Sequence, residues 1–318
     1  MKYYSHTLFY LFFLSIVISA DFPDKTQLMR NNSVAKTIGR EDRKDGVHSG
    51  NRVLTRIYNH GAIGDLSSSF SGVYPIGSGH AYIFEFSPVI AASVVDTNGF
   101  RRHIISDGTI GLTDNSPEGT PWGFEPLSGY ANPNQENLAM SDNENSWPDS
   151  WPNRPSDWDG EWNGQYGKYV RADQESFFVV DDYYNSEFEF WPDENDIPQD
   201  TTAAPDNHRR GLGIQLDVRG YQWNHPAAED ILIVTYWITN LGTSVLDSVV
   251  FGMYGDADVG GPSSFSDDDA WFDTENDMVY QWDHDNWSTS YGGFRPAYFG
   301  WSFLESPGNP HDGIDNDE

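Results

Sequence analysis

The sequence predicts an all-β fold, built as an antiparallel β-sandwich or as two packed sandwiches, and three observations carry that reading. Apolar runs are short, rich in β-branched and aromatic residues, and bounded by clusters of Gly, Pro, Asn and Asp. No stretch shows the 3.6-residue apolar period of an amphipathic helix, and helical and strand patterns do not alternate. Finally, 12 Trp, 17 Tyr and 19 Phe supply apolar surface for a core. That supply argues against the disorder that a formal net charge of −31 would otherwise suggest.

The chain opens with Lys2, an apolar run over residues 8–18, and Ser19-Ala20 ahead of Asp21. A positive start, a short apolar run and small residues at its end form a secretory signal peptide over residues 1–20. The run falls short of the roughly twenty apolar residues of a membrane span, and no later stretch approaches that length. The mature chain is therefore expected to be exported without spanning a membrane. Residues 21–50 are polar and aperiodic and read as a flexible leader.

Residues 51–305 read as the β-rich region, as one large domain or two packed ones. Residues 53–58 form a first strand, closed by the turn Asn59-His60-Gly61. Residues 81–86 and 89–95 read as a strand pair about Ser87-Pro88, with another strand at 102–105. Residues 116–167 are crowded with Pro, Asn, Asp and Gly and carry Trp122, Trp147, Trp151, Trp158 and Trp162. So long an irregular stretch is functional or disordered, and its tryptophans favour an ordered loop pinned to a sheet. Strands resume at 176–180 and 187–190, and at 212–218, where Leu212, Ile214, Leu216 and Val218 alternate with polar residues and glycine. The two longest apolar strands, 231–239 and 245–254, flank Asn240 and Gly242 and read as a central hairpin. Residues 278–282 suggest one more strand.

Charge is concentrated in the loops. After the central pair come Asp256 and Asp258, then Asp267, Asp268 and Asp269, with a further acidic turn at Asp283 and Asp285. Carboxylates this dense repel one another unless a cation or solvent relieves them, and calcium takes six to eight oxygen ligands. Asp256, Asp258, Asp267, Asp268 and Asp269 are therefore candidate ligands of a structural calcium ion. The competing reading is a solvated acidic loop. An exported chain without cysteine has no disulfide, so an ion would serve as its staple. The same acidity excludes nucleic acid as a partner, because phosphate binding requires basic patches.

Thr239-Asn240-x-Gly242 followed by Leu246 and Val249 resembles the hairpin of bacterial immunoglobulin-like adhesion domains, so the sandwich is expected to be immunoglobulin-like in part. Further segments, Asn132-Pro133-Asn134-Gln135, Ser146-Trp147-Pro148, Arg219-Gly220-Tyr221-Gln222-Trp223 and Phe303-Leu304-Glu305-Ser306-Pro307-Gly308 among them, resemble an uncharacterised group of large secreted proteins of Gram-negative bacteria. Members of that group usually end in a type IX secretion sorting domain. The resemblance implies an extracellular or cell-surface multidomain protein and implies no activity. Residues 306–318, with Asp312-Gly313-Ile314-Asp315-Asn316-Asp317, are similar to the start of a thrombospondin type 3 calcium repeat, which adds Asp315 and Asp317 as candidate ligands and makes the chain the N-terminal part of a longer one.

Two other functions compete with that reading. Indole faces of Trp147, Trp151, Trp158 and Trp162 could stack on sugars of an extracellular or cell-surface polysaccharide, making the chain a carbohydrate-binding module. Carboxylate pairs could make it part of a secreted glycoside hydrolase, but with 49 acidic residues such pairs arise by chance. No nucleophile-elbow, zinc-protease, phosphate-loop or dinucleotide signature occurs. The reading that results is a non-catalytic secreted or surface module stiffened by calcium.

Overall fold

A computed structural model describes residues 40–65, 67, 69–110, 115–117, 119, 122–198 and 208–305, together with the backbone of residues 10–17. Its strands are β1 (Tyr10–Val17), β2 (Asp45–His48), β3 (Thr55–Tyr58), β4 (Ile83–Val95), β5 (Arg101–Asp107), β6 (Glu125–Pro126) and β7 (Ala139–Met140), then β8 (Gln174–Asp181), β9 (Ile214–Gln222), β10 (Ile231–Asn240), β11 (Asp247–Ala257), β12 (Asp268–Asp273), β13 (Met278–Asp283) and β14 (Tyr298–Glu305). Only short 3-10 turns interrupt them, so the fold is all-β.

The strands form two layers on one core. The larger sheet runs β12-β13-β14-β1-β10-β9-β8-β6, with β7 also on β8. The smaller layer is β11-β4-β5, joined to the β2–β3 pair by the bridges Ile57–Ile63 and Ile63–Phe86. Between the layers lie Ile83, Phe86 and Ile90 from one side and Phe178, Leu216, Leu232, Val234, Tyr236 and Phe299 from the other.

The two longest apolar strands do not form a hairpin. β10 pairs with β9 and β1, whereas β11 pairs with β4 in the opposite layer. The turn at Asn240 and Gly242 therefore carries the chain across the sandwich. Both strands are apolar because each faces the core between them, where the Tyr236 and Phe251 rings meet at 5.1 Å. β10 is central in its sheet, as apolar residues on both of its faces require. The sandwich is also not wholly antiparallel, since β1 runs parallel to both β10 and β14.

Other boundaries shift for local reasons. β4 runs unbroken through Ser87-Pro88, because Pro88 is accommodated opposite Met253 within the ladder. Residues 187–189 form a bend instead of a strand, with Phe188 packed on the core and Phe190 buried in it. Asp45–His48, read as leader, is β2, and its His48 is fully buried with Nε2 2.9 Å from the Ser176 hydroxyl. β12 arises where the sequence suggested only an acidic loop, and β14 had no strand signal assigned to it.

β8 is buried along its whole length, and the reason is a third layer. Phe178 and Val180 face the main core, while Phe177 and Val179 face a second cluster with Tyr130, Trp151 and Trp162. The tryptophan-rich loop covers the outer face of the sheet. Trp162 Nε1 donates to Glu175 Oε2 at 2.7 Å, and Trp151 Nε1 donates to the Glu161 carbonyl at 2.9 Å. Arg219 lies over the Phe177 ring at 3.9 Å and donates to the Asn163 carbonyl at 2.5 Å. The loop is thus ordered by ring packing plus satisfied polar groups.

Candidate metal centre

The acidic stretch after β11 folds into two loops that face each other. β11 ends with Asp256 opposite Glu85 and Ala257 opposite Ile83. The Asp258 N–H then donates to the Tyr82 carbonyl at 3.1 Å, which leaves Asp258 at the rim of the core, only 7 % exposed. The chain reverses on Gly260 and Gly261, at φ +88° and +84°. A Cβ on Gly261 would stand 2.6 Å from the Tyr291 ring, so both backbone angle and space demand glycine. The turn Phe265–Asp267 delivers Asp267 and feeds β12.

The second loop leaves β13 at Asp283. It is tied to the first by Ser288 Oγ, which donates to the Gly260 carbonyl at 2.5 Å, and by the Ser263 N–H, which donates to Ser290 Oγ at 3.0 Å. The His284 N–H also donates to the Asp267 carbonyl at 3.2 Å.

Between these loops Asp267, Asp283 and Asp285 each bring a carboxylate oxygen within 4.8 Å of the others. Asp283 is held rigidly: Oδ1 accepts from the Trp287 N–H at 2.6 Å and Oδ2 from the Ser264 hydroxyl at 2.9 Å. Asp285 Oδ1 shares the Trp287 N–H at 2.9 Å. Asp268 lies across the β12–β13 ladder from Asp283. Its Oδ2 accepts from the Val259 N–H at 2.8 Å, and its Oδ1 is buried without a hydrogen-bond partner.

The electrostatics follow from that crowding. Burial pushes the Asp268 carboxyl up to about 7; the Val259 N–H opposes the shift, and Asp258, Asp283 and Asp267 add repulsion. Burial, then the charge of Asp256, pushes Asp258 up to about 6. Arg295 is the sole Lys or Arg after Arg219. Among the described residues no Lys or Arg pairs with Asp258, Asp267, Asp268, Asp283 or Asp285. An all-oxygen donor set of this kind suits a hard cation such as calcium better than a thiolate- or imidazole-seeking metal.

No protein-family model, curated protein or solved structure matches the chain. The site is therefore read from its own geometry.

Of the residues singled out from sequence, Asp267 belongs to the cluster, and Asp268 and Asp258 adjoin it. Asp256 stands one step back on β11, where its Oδ2 accepts from the Tyr254 hydroxyl at 3.2 Å, and it reaches the group through its charge on Asp258. Asp269 turns to the other face of β12, as strand alternation requires, and meets His284 Nδ1 at 2.6 Å. Asp315 and Asp317 lie outside the described residues. Asp283 and Asp285 were visible in sequence as an acidic turn. Their place in the cluster depends on the β12–β13 register, which the sequence did not reveal.

The tryptophans proposed for sugar stacking are placed differently. Trp151 and Trp162 are each 2 % exposed and have no free face. Trp147 packs on Trp162 at 5.4 Å and donates from Nε1 to the Met140 carbonyl at 2.7 Å. Trp158 is covered by the Arg154 guanidinium at 4.3 Å and lies 5.6 Å from the Lys168 ammonium. These rings fasten the loop to the sheet.

Proposed function

We infer that the chain is a non-catalytic β-sandwich module of a secreted or cell-surface protein, with calcium as a structural staple between the loop after β11 and the loop after β13. The observation that supports this reading is the convergence of Asp267, Asp283 and Asp285 beside the unsatisfied Asp268 Oδ1, with no Lys or Arg counter-charge among the described residues. A cation bound there would add an ionic clamp to two loops that hydrogen bonds already hold together, in a chain that has no cysteine. Calcium sites of extracellular modules have Kd values on the order of 10⁻⁴–10⁻³ M, and a partly open site of three to four carboxylates fits that class. Terbium provides the test, because Trp287, whose N–H donates to both Asp283 and Asp285, borders the site and would sensitise its emission. A saturable signal displaced by calcium, and lost in Asp267→Asn/Asp285→Asn, is the expected result. Emission that is absent, or unchanged in that double variant, overturns the reading.

A second reading, carbohydrate binding, moves away from the loop tryptophans to the outer face of β12–β14. There Trp271, 63 % exposed, lies across the ladder from Tyr280. Tyr280 is 5.5 Å from Trp282, which stacks on Tyr298 at 5.8 Å and 22°. Asp269 stands opposite Trp282 in the ladder, so rings and a carboxylate share this face, the combination that stacks on a sugar ring and bonds its hydroxyls. Retardation of the native chain, but not of Trp271→Ala, in gels containing neutral polysaccharides tests it; equal migration of both rejects it.

A further inference from the structure

Removal of residues 1–20 would open a strand slot in the larger sheet. β10, β1 and β14 run parallel side by side, with β1 in the middle. β1 pairs in continuous register from Phe12–Ile231 to Val17–Tyr236 on one side and from Tyr10–Tyr298 to Ser15–Phe303 on the other. Yet β1 coincides with the apolar run of residues 8–18 that reads as the core of a signal peptide.

Loss of residues 1–20 would not by itself bring the two neighbours together. β10 is fixed by its ladder to β9 and by Leu232, Val234 and Tyr236 in the core. β14 is fixed to the opposite layer: Phe299 and Trp301 meet the Phe86 ring at 5.1 and 4.9 Å, and the Ala297 N–H donates to the Tyr82 hydroxyl at 3.0 Å. Two strand spacings, roughly 9–10 Å, separate strands that flank a single vacancy. Both flanks would then show rows of unpaired N–H and C=O groups in the middle of a sheet, which is unfavourable unless another strand completes the ladders.

Neither residues 21–39 nor residues 306–318 read as a strand suited to that place. Residues 21–39 contain Pro23 and the charged Asp21, Asp24, Lys25, Arg30 and Lys36, and residues 306–318 contain Pro307, Pro310 and the four acidic residues Asp312, Asp315, Asp317 and Glu318. Neither carries an apolar run comparable to Tyr10–Val17.

We propose that the mature protein is a strand acceptor: the slot between β10 and β14 takes an apolar strand of about eight residues, donated by another polypeptide and running parallel to both neighbours. Main-chain ladders on two sides supply affinity, and the apolar floor selects the chemistry of the donor, the logic of β-strand addition. The proposal rests on reading residues 1–20 as a removable leader.

The test compares residues 1–318 with residues 21–318 by hydrogen exchange of β10 and β14. The probe is a peptide of the Tyr10–Val17 sequence flanked by two lysines at each end. In residues 21–318 the slot-facing amides should exchange at least roughly tenfold faster than in residues 1–318. Saturating peptide should restore protection and raise Tm by about 5 °C or more, and a peptide with proline at its centre should do neither. Equal protection of both chains without peptide, or exchange unaffected by peptide, overturns the slot. Should residues 21–318 fail to fold alone, refolding is run with and without peptide: recovery with peptide only supports the proposal, and no recovery in either case overturns it. N-terminal sequencing of the exported chain judges the leader separately. A start at Asp21 upholds it, whereas a start at Met1 removes the leader reading and with it the need for a foreign donor.

Discussion

Calcium and protons should compete for the loops that follow β11 and β13, and the sign of that competition follows from two carboxyls. Asp268 is held at about 7 and Asp258 at about 6, against an ordinary carboxyl value of 3.8. Both are raised above their unfolded values, so the stability they contribute is complete below about pH 4 and is lost as pH rises through 6 and then 7. Without a cation the protein should therefore lose stability between pH 4 and pH 7. Each tenfold change in proton affinity corresponds to about 1.4 kcal/mol. Because these carboxyls retain partial contact with solvent, screening reduces the combined effect to about 2 kcal/mol. Calcium binds the ionised forms and should reverse the loss. At a hundredfold excess over Kd it adds about 2.7 kcal/mol, which for a chain of this size raises Tm by about 4 °C. The assay is thermal unfolding in chelator and in calcium at pH 5 and pH 7.5. Asp268→Asn keeps an acceptor for the Val259 N–H but removes the charge, so in chelator it should melt higher than the native chain at pH 7.5 and show a flatter pH profile. The reasoning fails if the chelated native protein is equally stable at both pH values, or if calcium raises Tm by the same amount in each.

Other consequences are more local. Trp162→Ala removes the ring between Trp147 and Trp151 and orphans one oxygen of buried Glu175; urea unfolding should show a loss of about 3–5 kcal/mol. Gly211 has φ +65°, and a Cβ there would lie 2.4 Å from the Asp182 carbonyl oxygen, so Gly211→Ala should cost at least about 2 kcal/mol by the same assay. The Tyr236 hydroxyl is buried without a hydrogen-bond partner, and Tyr236→Phe should leave stability unchanged or raise it by about 1 kcal/mol. Arg43 makes a two-pronged contact at 2.8 and 2.7 Å with Glu125, which is 1 % exposed. Arg43→Ala should cost about 3–5 kcal/mol in urea unfolding through the uncompensated carboxylate.

Strand chemistry was legible in the sequence wherever one face alone decided it. Leu216 and Val218 of β9 announce themselves by alternation, and Leu232, Val234 and Tyr236 of β10 by an apolar run. Pairing was less legible, because an Asn-x-Gly turn permits a hairpin as readily as a crossing between layers. Only the cross-core contact of Tyr236 with Phe251 distinguishes the two, and local pattern does not contain it. Composition likewise marked the acidic loops as a place of unrelieved charge. Which carboxylates converge was set by register: Asp268 opposes Asp283, and alternation turns Asp269 away. The loop tryptophans misdirected for a related reason, since a ring that fastens a loop and a ring that meets a sugar have the same one-letter code.

The crossing from β10 to β11 also governs the order in which the sandwich can be assembled. β4 waits for β11, and Ile90 and Phe251, which are paired in the ladder, are about 160 residues apart in sequence. At synthesis rates of 5–20 residues per second, β4 emerges on the order of ten seconds or more before its partner exists. Contacts so distant in sequence make folding slow once the chain is complete. The β4–β5 pair can form locally, but until β9, β10 and β11 are made, the apolar side of β4 has little to rest on but a chaperone or the solvent.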